Sequence, residues 1–116
     1  VCTFAQHGAL AALQMDPSIV TGRRDILQQR RDRAAELTRA LFPCVTAQGA
    51  FYLFVDVRSH LQPGHSSMDL AARLLDAAGV AVVPGEAFHG PGRIRLSFGM
   101  PEPILARAFE KMKEVL

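Results

Sequence analysis

Apolar residues recur along the chain with two different periods, and the change from one to the other marks out its elements. Phe4 to Leu13, FAQHGALAAL, is rich in Ala and Leu and predicts a first helix, stopped at Asp16-Pro17 because the residue before a proline avoids helical geometry. A second helix is predicted from Pro17 or Ser18 to Leu41. Leu27, Ala34, Leu37 and Leu41 form a stripe close to the 3.6-residue period, and Pro43 is the stop. At ~1.5 Å per residue this helix would be roughly 35 Å long, enough to outrun a small domain and bridge to something else.

After Gly49 the pattern changes. Ala50 to Val57 is apolar at nearly every position and rich in aromatic and β-branched residues, which predicts a strand covered on both faces. Arg58 to His65 contains Pro63-Gly64 and reads as a loop. Ser66, with Asp69 three residues on, predicts an N-cap pair for a helix that ends at Gly79 and buries Leu70, Leu74, Leu75 and Ala78. Val80 to Val83 predicts a short strand closed by Pro84-Gly85. From Arg93 to Phe98 strict alternation turns Ile94, Leu96 and Phe98 one way and Arg93, Arg95 and Ser97 the other. A last helix starts near Pro101 to Pro103 and lines up Leu105, Ala108, Phe109, Met112 and Val115 on one side. The order ααβαββα, with short strands and no parallel repeat, predicts an α+β fold: a small, mainly antiparallel sheet covered by helices, with a long helix preceding it.

Composition narrows the function classes. A chain of 116 residues is about one domain, and 49% hydrophobic with 21% charged residues lies well away from disorder. The 13 basic residues are 11 Arg and 2 Lys against 11 acidic ones, a balance suited to planar, bidentate contacts with carboxylates or phosphates. Arg23, Arg24, Arg30, Arg31, Arg33 and Arg39 are interleaved with Asp25, Asp32 and Glu36, so they read as a solvated helix face and not as a nucleic-acid footprint. No apolar run approaches the roughly 20 residues that span a bilayer, so no membrane partner is expected. Cys2 and Cys44 lack a CxxC spacing and read as small buried hydrophobes of a reducing, cytoplasmic protein.

Few constellations carry chemistry. No GxSxG elbow is present, and His7, His60, His65 and His89 lack HxH or HxxxH spacing, so no metal is expected. The glycine-bearing stretch Pro84 to Gly92 lacks the GxxxxGK[ST] and GxGxxG spacings and precedes a strand, which makes it a connection and not a phosphate cradle. Arg95 is different. In mid-strand, opposite Ile94, Leu96 and Phe98, it either lies at a solvent edge or delivers its guanidinium into a cleft where an anion binds, and pattern alone leaves both readings open.

Three segments taken in order, Gly49 to Asp56 (GAFYLFVD), Leu74 to Phe88 (LLDAAGVAVVPGEAF) and Gly92 to Phe98 (GRIRLSF), resemble the end of class I/II aminotransferases of the aspartate aminotransferase-like, fold-type I group. FAQHGALAAL resembles the helix after that family's cofactor-binding lysine region, so the likeness spans essentially the whole chain. It implies a C-terminal small domain at residues 17–116, with residues 1–16 a helix at the junction to a large domain. Residue by residue, the arginine of the family's "RlS" motif falls on Arg95 and implies a clamp for the substrate's α-carboxylate. Gly49 and Phe51 match a strand bordering the substrate, and Pro84-Gly85 with Phe88 match a turn beside the cleft. The resemblance implies a parent enzyme, a homodimer using pyridoxal 5'-phosphate to move an amino group between an amino acid and a 2-oxo acid. The fragment itself is expected to be inactive and without cofactor, because Lys111 and Lys113, its only lysines, do not match the family's lysine motif. A free-standing α+β ligand-binding or regulatory domain is the alternative, since fold does not settle function.

Overall fold

The first helix and the start of the second stand apart from everything that follows. In the computed structural model, which describes all 116 residues, α1 spans Thr3–Leu13 and α2 Pro17–Arg39, and the molecule measures 54 × 30 × 24 Å. Pro17 opens α2 with its fixed φ, and the Asp16 side chain caps it by accepting from the Ser18 N–H at 2.9 Å. Only the C-terminal part of α2 is packed: Ala34, Ala35 and Thr38 are buried, whereas α1 buries no residue at all.

The rest of the chain is a three-stranded antiparallel sheet with helices on one face. Strands β1 (Tyr52–Asp56), β2 (Val83–Pro84) and β3 (Arg93–Ser97) lie in the order β1-β3-β2, with Phe54 and Val83 both opposite Arg95. Their inner residues Leu53, Val55, Ile94 and Leu96 meet Phe42, Phe98, Leu70 and Leu74, together with Leu105, Phe109 and Met112 of α4 (Glu102–Val115), in one core. Between β1 and β2, α3 (Ser67–Arg73) starts with a full capping box: Ser66 and Asp69 satisfy each other's backbone N–H groups. The α+β class, the element order and the β3 alternation are as the pattern predicts.

Five expectations need correction. The first strand runs only from Tyr52, because Ala50 lies in the left-handed region at φ 57° and breaks the extended run. Its outer face is uncovered, with Phe54 exposed, so continuous apolarity here does not mean a strand buried on both sides. After α3 the helix widens into a π turn over Leu74–Ala78 that swings Leu75 out to 53% exposure, while Leu74 and Ala78 stay in the core. Val80 to Val82 do not join the sheet. The Val80 N–H closes the preceding helix by donating to the Leu74 carbonyl at 3.1 Å, and Val80 and Val82 pack against the core as side chains, leaving Val83–Pro84 to pair with β3. Finally, Cys2 is exposed at the start of α1, where nothing covers it. Cys44 is half-buried, and that burial pushes its thiol pKa up.

Candidate functional site: an arginine between two aromatic rings

Because β3 is the central strand, the outward residues of the sheet converge on Arg95. Its guanidinium carbon lies 4.2 Å from the centroid of the Tyr52 ring and 4.5 Å from that of Phe88. Phe88 in turn meets Phe54 edge to face, with centroids 6.2 Å apart, and Arg93 reaches the Phe54 ring at 5.6 Å. Arg95 is half-buried and belongs to none of the five ion pairs, in contrast to Arg24, Arg31, Arg33 and Arg58. Rings stacked on the faces of a guanidinium leave its in-plane N–H donors free, and those donors match a carboxylate bidentately. The open choice between a solvent edge and a cleft is thus narrowed to a charge framed by aromatic rings and lacking an acidic partner.

The ring over Arg95 is held by a short tether. Phe88 ends a 3-10 turn, Gly85–Phe88, that links β2 to β3, so the stretch from Pro84 to Gly92 is the inter-strand connection its spacing indicates. Inside the turn, Glu86 accepts hydrogen bonds from the fully buried Ser67 through its hydroxyl and, at 3.3 Å, its backbone N–H. The Ser67 hydroxyl, foremost, holds the Glu86 carboxyl below its ordinary pKa. Gly85 has to be glycine for space: a Cβ there would lie 2.0 Å from the Gly90 carbonyl oxygen and 2.7 Å from that of Arg93. His89, at φ 54°, then turns the chain toward β3.

At the far end of the same face Asp56 is already engaged. Arg58 donates to it from both its guanidinium and, at 3.0 Å, its backbone N–H, and these bonds bring the Asp56 carboxyl down to about 2. It is therefore not a partner for Arg95.

Of the other residues singled out by sequence, Phe51 is one ring removed from the arginine, its centroid 4.3 Å from that of Tyr52. Gly49 lies beside it at the edge of a hollow that α2 lines with Arg23, Leu27 and Arg31. The structure thus places both Gly49 and Phe51 at the hollow beside α2, and only Phe51 also touches the Arg95 group, through Tyr52. Tyr52 and Phe54 were not singled out by sequence reasoning, although alternation in an antiparallel pair makes them the obligatory same-face neighbours of Arg95. Three of the six arginines of α2 are neutralised locally, Arg24 by Asp25, Arg31 by Asp32 and Arg33 by Glu36. His60 and His65 bond to the carbonyls of Leu41 and Pro63, at 3.0 and 3.3 Å. No three His, Cys, Asp or Glu side chains are grouped to hold a metal, and no helix is long and apolar enough to cross a membrane.

The family profile "Aminotransferase class I and II" matches residues 1–112. A probable aspartate/prephenate aminotransferase of Aquifex aeolicus is 38% identical over 120 residues, covering 100% of this chain and 30% of that protein. Among solved structures, the aromatic aminotransferase of Pyrococcus horikoshii superposes with a TM-score of 0.89 at 34% identity, over 98% of this chain and 31% of that one. The aspartate aminotransferase of Thermus thermophilus with maleate superposes with a TM-score of 0.77 at 39% identity, over 85% of this chain and 25% of that one. The chain spans about 30% of the length of the curated relatives it matches.

Proposed function

The chain belongs to the class I and II aminotransferases, and from that premise we propose that it is the carboxylate-binding small domain of a longer, pyridoxal-phosphate-dependent enzyme that moves an amino group between an amino acid and a 2-oxo acid. The observation that carries this reading is Arg95: a half-buried guanidinium with no acidic partner, set over the rings of Tyr52 and Phe88. Both substrates of such a reaction have a carboxylate next to the reacting carbon, so one bidentate arginine fixes either of them in the same orientation. The Thermus thermophilus structure with maleate supports the same class of ligand, since maleate is a small dicarboxylate.

The family implies pyridoxal phosphate, and the residues present here do not make up a site for it. Such a site needs a lysine for the Schiff base and an acid at the pyridinium nitrogen. Lys111 and Lys113 are both exposed on α4, which the core separates from the Arg95 face. The cofactor, the catalytic lysine and a homodimer of the cytoplasm are accordingly assigned to the whole protein. This chain contributes binding and orientation of the carboxylate, with residues 1–16 as the junction and 17–116 as the small domain.

The test is amino-group exchange by the whole protein loaded with cofactor, beside the 116-residue chain mixed with pyridoxal phosphate. The reading expects exchange between an amino acid and a 2-oxo acid in the first. In the second it expects no saturable, amino-acid-responsive absorbance. A whole protein that exchanges amino groups with no such pair, or an isolated chain that shows the responsive spectrum, defeats it.

A further inference from the structure

We propose that Phe88 is a positioning residue for Arg95: held by the Glu86–Ser67 tether, its ring fixes the guanidinium in the carboxylate-receiving orientation before any ligand arrives. The inference rests on the reading of Arg95 as a carboxylate clamp and adds the part of the fold that makes the clamp rigid.

Four observations carry it. Arginine has a long side chain with much rotamer freedom, and no acidic group of this protein restrains Arg95. Its restraint comes from the rings of Tyr52 and Phe88, whose centroids lie 4.2 and 4.5 Å from the guanidinium carbon. The two rings are set very differently. Tyr52 is part of β1 and is fixed by the ladder opposite Ser97, whereas Phe88 lies outside the sheet, 43% exposed, with the Phe54 ring as its aromatic neighbour. What aims it is the turn, through the bonds from buried Ser67 to Glu86 and the bare α-carbon of Gly85 against the Gly90 carbonyl. Helix α3, which begins at Ser67, thereby sets the direction of a ring that lies against the arginine of β3.

A side chain ordered before binding does not lose its rotamer entropy on binding, which for a long side chain amounts to about a two- to tenfold change in affinity. Contact with an aromatic face also leaves the chemistry untouched, because a ring stacked on a guanidinium does not use up its in-plane N–H donors. Phe88 should therefore act on affinity for the carboxylate and not on the reaction that follows.

The experiment is a double-mutant cycle in the cofactor-loaded whole protein, with Phe88→Leu, Arg95→Ala, the double variant and Phe88→Tyr. Each is titrated with maleate as an unreactive carboxylate probe and assayed for KM and kcat. The expected result for Phe88→Leu is a Kd for maleate and a KM raised about two- to tenfold, with kcat within twofold. Phe88→Tyr, which keeps the ring, should bind within about twofold of the parent. In the Arg95→Ala background, Phe88→Leu should have no further effect. A loss of affinity that is the same with and without Arg95, or a Phe88→Tyr variant as weak as Phe88→Leu, overturns the positioning role. If Arg95→Ala itself leaves maleate affinity unchanged, the clamp reading fails instead, so the two failures are told apart.

Discussion

Helix α1 should not hold its shape in the isolated chain. It is 11 residues long, has no side-chain N-cap and buries none of its residues; Phe4, Leu10 and Leu13 are 81%, 52% and 85% exposed. With a nucleation weight of about 0.003 and a propagation factor of about 1.4 per residue, a helix of that length has a statistical weight of about 0.1 against coil. Gly8 in its middle costs about 1 kcal/mol, which lowers the helical population to about 2%. If a neighbouring domain covers Phe4, Leu10 and Leu13, their burial supplies about 4 kcal/mol or more, on the order of a thousandfold in amide protection. Hydrogen exchange followed by mass spectrometry measures this directly. Peptides covering residues 3–13 should exchange near the random-coil rate in the dilute isolated chain, far faster than those covering β3, and should become protected in the whole protein. An isolated monomer in which α1 exchanges as slowly as β3 would refute the reasoning, and with it the assignment of residues 1–16 as a junction.

Two further outcomes follow from the packing and the electrostatics. Leu74→Ala should cost about 2–5 kcal/mol in urea unfolding while its neighbour Leu75→Ala stays within about 0.5, because only the first is buried; equal costs would contradict the π turn. Glu86 and Asp56 titrate below their ordinary values of 4.5 and 3.8, Asp56 at about 2, so the stability they contribute is complete above about pH 5 and declines as pH falls toward 2. Unfolding midpoints at pH 7, 4 and 2.5 should therefore fall in that order, and Glu86→Gln should flatten the acid limb; a midpoint independent of pH would count against both hydrogen-bonded carboxylates.

Much of the fold was legible because it rests on local rules. The Ser66/Asp69 capping box, the Pro17 start of α2, and the alternation that separates Ile94, Leu96 and Phe98 from Arg93 and Arg95 are all fixed by neighbours in sequence. What was not legible depends on contacts across the chain. Apolarity at every position of β1 reads as two covered faces, yet its outer aromatics are the frame of an arginine on another strand. The Val80–Val83 run reads as a strand, but a helix-closing hydrogen bond engages the N–H of its first residue. Leu75 satisfies a helical stripe until the helix widens beneath it. Arg95 stood out as the one charge in mid-strand, and its contact with both Tyr52 and Phe88 required the register and the Glu86 tether, neither of which is written in the spacing.

The central claim is that Arg95 clamps the substrate carboxylate, and steady-state kinetics on the whole protein test it against Arg93. The two arginines share a face of β3, but Arg93 is the more exposed and lies opposite Asp56, which Arg58 already engages. Losing one member of a buried bidentate pair costs on the order of 2–5 kcal/mol. Arg95→Ala should therefore lower kcat/KM about 30- to several-thousand-fold for amino acid and 2-oxo acid alike, with stability changed by no more than about 1 kcal/mol. Arg95→Lys should restore part of the loss, since a point charge cannot reproduce the fork, and Arg93→Ala should be several-fold milder. An Arg93→Ala enzyme more impaired than Arg95→Ala would contradict the account.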